Sequence, residues 1–234
     1  MMRLRSSNPI YRSRTLQDAT FSERPVTYSG VAIRTILLIA VAAASAMYAI
    51  FQLDSFSPGL LIGAIIVGFI SVIAGTRNVR LAPFFGILYA VCEGLVLGIV
   101  SLLYASFYEG IVPTALTTTV IVLLVMMLLY SLNIIKVNQR FASILVVAMI
   151  TVILMGLISL FVPFSGPFYF LVSILTTLLA CFYLFLDFEN IKNAVEAGAD
   201  SRLGWVLALG LMVSLVWIYL EILRLLAIFA NRRN

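Results

Sequence analysis

Seven apolar runs, each near the length a helix needs to cross a bilayer, leave this chain few folds to choose from. Hydrocarbon offers no partner to backbone N–H and C=O groups, so a run of about twenty apolar residues crosses it as an α-helix, which satisfies those groups internally. The runs lie at roughly 31–52, 58–76, 81–107, 112–134, 141–162, 167–189 and 204–230. With 63% hydrophobic residues, 11% charged residues and a mean hydropathy of +1.14, the chain falls outside the soluble class. The expectation is an all-α integral membrane protein, with residues 31–234 as a single seven-transmembrane-helix bundle.

The charges set the orientation. Of fifteen Lys and Arg residues, six lie in the first 34 positions, and most others sit in short loops between apolar runs. The net charge of +5 is therefore a topology signal and not a nucleic-acid footprint. Loops after runs two, four and six carry Arg77 and Arg80, Lys136 and Arg140, and Lys192 and Arg202. Those after runs one and three carry only Asp54 and Glu109. The positive-inside rule then places the N-terminus in the cytoplasm, and the plasma (inner) membrane is the expected location. Seven crossings put the C-terminus, with Arg232 and Arg233, outside against that rule; a protein-surrounded last helix would exit anyway, and a re-entrant one would not. We take it to span fully. Residues 1–30 are polar and Arg-rich without apolar periodicity, which predicts a disordered cytoplasmic tail. Ala44-Ser45-Ala46 resembles a cleavage site, but the polar lead-in is too long for a signal peptide and the apolar run continues to Phe51.

Small and polar residues mark the helix faces. Gly86, Ala90, Gly94 and Gly98 recur every four residues in the third run, a stripe that lets another backbone approach closely. Ser173, Thr176, Ala180, Tyr183, Asp187 and Asn190 share one face of the sixth helix, and Gly210, Ser214, Trp217, Glu221 and Arg224 one face of the seventh. A short charged loop joins these two helices, so their polar stripes are expected to turn toward one another and away from lipid.

Three acids stand within the apolar runs. A carboxylate near the bilayer centre costs about 2.5–3.5 kcal/mol, so each is a candidate site unless a partner neutralises it. Glu221 has Arg224 one turn away, which allows a purely structural ion pair. Asp187 lies nearer an interface, and Glu93 has no cation within a helical turn. Rise per residue puts Glu93 roughly 18 Å into its helix, Ser214 roughly 15 Å and Glu221 roughly 25 Å into theirs, with Asp187 roughly 15 Å from the end of a helix continued to Ala197. Depth therefore pairs Asp187 with Glu93 and leaves Glu221 as a separate outer site. Two carboxylates that close in low dielectric share a proton, which makes the pair a pH-sensitive latch. Protonated, it ties two helices together; ionised, it repels and receives a cation. Calcium takes six to eight oxygens, so Asp187 and Glu93 would form only a weak, transient site, as permeation requires. The chain has no histidine, so these acids would carry any response to pH near neutrality. Cys92 and Cys181 lie inside apolar runs and form no C-x-x-C, which argues against a thiolate metal site.

Leu-Phe-Leu-Asp-Phe-Glu-Asn-Ile at 184–191, Trp-Ile-Tyr-Leu-Glu-Ile-Leu-Arg-Leu-Leu at 217–226 and the seven-run plan resemble the Bax inhibitor-1 (transmembrane Bax inhibitor motif) family, in particular a bacterial branch, from about residue 30 onward. The resemblance implies a bundle with the last helix near the centre. It also implies a pH-sensitive calcium leak gated by two aspartates, one late in helix six and one in helix seven, with an arginine ending helix two able to pair with them. Asp187 matches the first aspartate and Arg77 the arginine. The second aspartate is absent: alignment on Arg224 puts its place at Ser214, and alignment on Leu-Tyr-Leu-acid puts it at Glu221.

Other classes fit poorly. The Gly-x-Gly-Asp motif of intramembrane aspartyl proteases is missing, the nearest stretch reading Ala208-Leu209-Gly210-Leu211. Lys136 and Lys192 lie in loops, so no lysine is placed for a retinal Schiff base. No P-loop, dinucleotide fingerprint or zincin motif occurs, and we expect no enzyme and no cofactor beyond the permeating ion. The rival reading is a non-conducting protein that binds and modulates a membrane-anchored protease or similar partner through residues 1–30.

Overall fold

The computed structural model describes residues 25–52, 58–159, 161–162 and 165–231. Among them are seven helices: α1 (Tyr28–Phe51), α2 (Pro58–Arg77), α3 (Ala82–Phe107), α4 (Ile111–Ser131), α5 (Gln139–Ser159), α6 (Gly166–Glu196) and α7 (Leu203–Asn231). All seven are long and apolar enough to cross a membrane. Their starts follow local chemistry. Thr27 caps α1, its hydroxyl accepting from the Gly30 N–H at 3.0 Å, so the helix begins before the apolar run does. The Asn138 side chain accepts from the Phe141 N–H at 2.8 Å at the head of α5, and Pro residues open α3 and α6 where a missing N–H costs nothing.

Helix α6 departs most from the expected boundaries. It runs seven residues past the end of its apolar stretch, burying Ile191 and Ala194 and packing Val195 on the core, while Asn190, Lys192, Asn193 and Glu196 there are polar. It stops at Gly198, whose φ of 63° suits glycine. The Gly198 N–H donates to Val195 and the Ala199 N–H to Ala194, both at 3.0 Å, which is a Schellman ending. The continuation to Ala197 assumed in the depth estimate is thus present.

The last helix is the axis of the bundle, as the resemblance implied. In α7, 61% of the apolar window is buried, against 6% in α5. It packs against α6, α1, α4, α3 and α2, and Leu209, Met212, Ile218 and Leu223 along it are fully buried. It is one uninterrupted helix of 29 residues, about 44 Å long, which suits full spanning and not re-entry. The glycine stripe of α3 lies against α1: a Cβ on Gly94 would collide with the Ala42 carbonyl, and one on Gly98 with that of Ala46. Helix α5 sits at the edge and packs chiefly on α6.

Of the expected tail, residues 1–24 lie outside the described residues. Residues 25–30 are ordered, and the reason is the α6–α7 turn. The Val26 N–H donates to the Ala199 carbonyl at 2.8 Å, Pro25 bridges to Asp200, and Val26 is 2% exposed. Arg34 completes the clasp, donating to the Ser201 hydroxyl at 3.0 Å with its guanidinium 5.6 Å from the Trp205 ring centroid.

Candidate functional site between helices six and seven

The polar stripes of α6 and α7 face one another along their length. Because the helices are antiparallel, residues early in α6 meet residues late in α7. Thr176 meets Glu221, the Tyr183 ring meets Trp217 edge-on at 5.7 Å between centroids, and Asp187 meets Gly210 and Ser214.

Asp187 stands nine residues before the end of α6, about 14 Å from it. The Ser214 hydroxyl lies within hydrogen-bonding reach of its carboxylate. A Cβ built on Gly210 would lie 3.6 Å from Oδ1, so the glycine leaves the carboxylate room against α7. The second oxygen, Oδ2, is shut off from solvent and has no hydrogen-bond partner among the described residues. An acceptor shielded in this way costs about 1–3 kcal/mol of desolvation, which a bound proton, water or cation would recover.

Glu221 is the opposite case. It is 4% exposed and fully engaged: Oε2 accepts from the Thr176 hydroxyl at 2.9 Å and from Arg224 Nη1 at 3.1 Å. Its Oε1 accepts from the Trp217 indole N–H at 3.3 Å and from the same Arg224 nitrogen at 3.2 Å. This is the structural ion pair that spacing allowed, extended by two neutral donors, and it ties α6 to α7 about 17 Å along α6 from Asp187.

The expected pairing of Asp187 with Glu93 is not what the fold makes. Glu93 turns toward α2, its Oε2 4.0 Å from the position of a Cβ on Gly68, while Asp187 turns toward α7. Helices α3 and α6 share no extended packing. Equal depth along two axes does not fix rotation about them, and the glycine stripe that seats α3 on α1 rotates Glu93 away from α6. The two-carboxylate calcium site is lost with the pairing, and among the described residues no three His, Cys, Asp or Glu side chains gather as metal ligands. Arg77 is exposed at the end of α2 and forms no ion pair; the Glu221–Arg224 pair is the one salt bridge among the described residues. Ser214, not Glu221, occupies the place beside Asp187.

Some contacts had no counterpart in the sequence reading. Ala64, Gly68, Ser71 and Gly75 form a second small-residue stripe, on α2, whose spacing of four, three and four was there to be found. A Cβ on Gly75 would press on Leu209 of α7 and Phe85 of α3. Ser101 and Tyr219 share a buried hydrogen bond of 2.7 Å between α3 and α7, and Tyr130 donates to Glu189 at 2.7 Å between α4 and α6. No sequence spacing links residues so far apart in the chain.

A central helix packed against five others, with polar rungs along its seam with α6, defines a multi-pass membrane protein. The chain belongs to the Bax inhibitor 1 like family, whose family model matches residues 8–231. No curated protein matches it.

Proposed function

We propose that the protein is a non-enzymatic cation leak of the bilayer, conducting calcium, with Asp187 as both its gate and its pH sensor. The observation that carries this reading is the shielded, unpartnered Oδ2 of Asp187 at the α6–α7 seam. A protonated carboxyl there is neutral and lets the two helices close. Ionised, it is acceptor-only, and the seam offers it the Ser214 hydroxyl and no cationic side chain, so it draws in water and a cation. One carboxylate, a hydroxyl and backbone carbonyls fall short of the oxygens calcium prefers, and such weak, brief binding lets an ion leave as readily as it enters. The Glu221 network holds the other half of the seam together, so opening is confined to the Asp187 half. The basic loops favour a cytoplasmic N-terminus, seven crossings then put the C-terminus outside, and the plasma membrane is the location we propose.

Proteoliposomes loaded with a calcium indicator test this. The expected result is calcium entry above that of empty vesicles, lowered in Asp187→Asn; native protein indistinguishable from empty vesicles at every pH would end the proposal.

The clasp of residues 25–27 on the α6–α7 turn favours a second reading. A membrane-anchored protease or similar partner bound to the preceding Arg-rich segment would pull on the helix pair that carries Asp187. Deleting residues 1–24 would then abolish modulation of the partner while sparing ion flux.

A further inference from the structure

We infer that Glu93 is a proton-binding site in its own right, set in the seam between α2 and α3, reached from the lipid and separate from Asp187. This inference does not rest on the protein conducting ions. Glu93 lies eleven residues into α3, about 17 Å from its start, and is half-buried. On α2 the residue facing it is Gly68, and on its own helix its neighbours are Tyr89, one turn back, and Cys92. Helix α1, packed along the other side of α3, presents Ala42, Ser45 and Ala46. None of these groups is cationic. Neither serine hydroxyl nearby is turned to it, because Ser71 donates to the Val67 carbonyl and Ser45 to that of Val91, both at 2.7 Å, and the neighbouring Tyr89 hydroxyl makes no hydrogen bond to it. Glu93 makes no hydrogen bond or ion pair of its own among the described residues.

A carboxylate so placed has no donor to replace its lost hydration, and the ready remedy is to take up a proton. Exposed residues on the same two helices near Glu93 are apolar, with Ile65 54% exposed, Phe69 68% and Val91 37%, so the opening by which Glu93 is reached faces hydrocarbon. Asp187, also half-buried, differs in that its Oδ2 is shut off from solvent and a hydroxyl stands beside the carboxylate.

A hydrophobic dialkylcarbodiimide reads this state directly. The carboxylic acid gives its proton to one carbodiimide nitrogen while its oxygen bonds to the central carbon, breaking one C=N π bond. The acyl group of that O-acylisourea then migrates to nitrogen, leaving a stable N-acylurea that carries the whole reagent and releases nothing. With the full chain in liposomes at neutral pH, dicyclohexylcarbodiimide should add one reagent mass at Glu93 by peptide mass spectrometry. That label should be lost in Glu93→Gln, persist in Asp187→Asn, and fade as pH rises. A water-soluble carbodiimide in the bulk phase should leave Glu93 unlabelled. An unlabelled Glu93 in native protein whose other carboxyls react would overturn the proposal, and so would equal labelling by the two reagents. Neither readout involves ion flux, so a failed leak and a failed proton site give different results.

Discussion

Gly210 on α7 lies directly opposite Asp187 on α6, leaving 3.6 Å between Oδ1 and the place a Cβ would take. That distance is ordinary van der Waals contact, so Gly210→Ala should fit and, by favouring the helix, stabilise the fold by up to about 1 kcal/mol. A larger side chain must occupy the space beside the carboxylate. Gly210→Leu is expected to lower calcium flux toward the empty-vesicle level while the protein still purifies as a folded species. Unchanged flux in that variant would place the ion route elsewhere.

The glycines of α3 do different work. Cβ atoms at Gly94 and Gly98 would strike backbone carbonyls of α1, which cannot rotate aside as a side chain could. Each Gly→Ala change should destabilise the bundle by about 1–3 kcal/mol, the range for overpacking, as measured by unfolding in mixed micelles. Gly63→Ala on α2, where nothing lies within 4 Å of the added Cβ, is the matched control and should cost little.

Glu221 is predicted to matter for stability and not for gating. Glu221→Gln removes the partner of Arg224 and weakens the bonds from Thr176 and Trp217, for an expected loss of about 1–3 kcal/mol. Thr176→Ala removes one neutral interhelical bond and should cost nearer about 0.6 kcal/mol. Both variants should keep whatever pH response the native flux shows, because Asp187 is untouched in each.

How far the sequence reaches is visible in α6 and α7. Their polar stripes were legible because helical spacing fixes which residues share a face, and a short loop between two spans leaves them few ways to pack. The antiparallel register then brings Thr176 to Glu221 and Asp187 to Ser214. The partner of a stripe on α3 was not legible in the same way. Spacing identified Gly86, Ala90, Gly94 and Gly98 as a packing face but could not say that Ala42 and Ala46 of α1 fill it. That choice sets the rotation of α3 and sends Glu93 to α2, so the depth argument paired two acids that the bundle keeps apart. The extension of α6 was hidden for another reason: its last turns are polar and amphipathic, and an apolar window ends before they do.

The clasp at the α6–α7 turn predicts a measurable coupling. Arg34→Ala removes the bond to Ser201 and the guanidinium from the Trp205 ring. Hydrogen exchange should then speed up at the Val26 amide, which donates to Ala199, with helix protection elsewhere in α7 unchanged. Unaltered exchange at Val26 would mean the backbone bond and the burial of Val26 hold the segment without the arginine.

The pH dependence of calcium flux tests most directly whether Asp187 is the titrating gate. The ionised form receives the cation and the protonated form closes the seam, so flux through native protein, which has no histidine, should rise as pH is raised from about 6 to about 8. In Asp187→Asn, which keeps the shape and loses the charge, flux should be low and flat across that interval. A pH response of native size in Asp187→Asn would contradict the account.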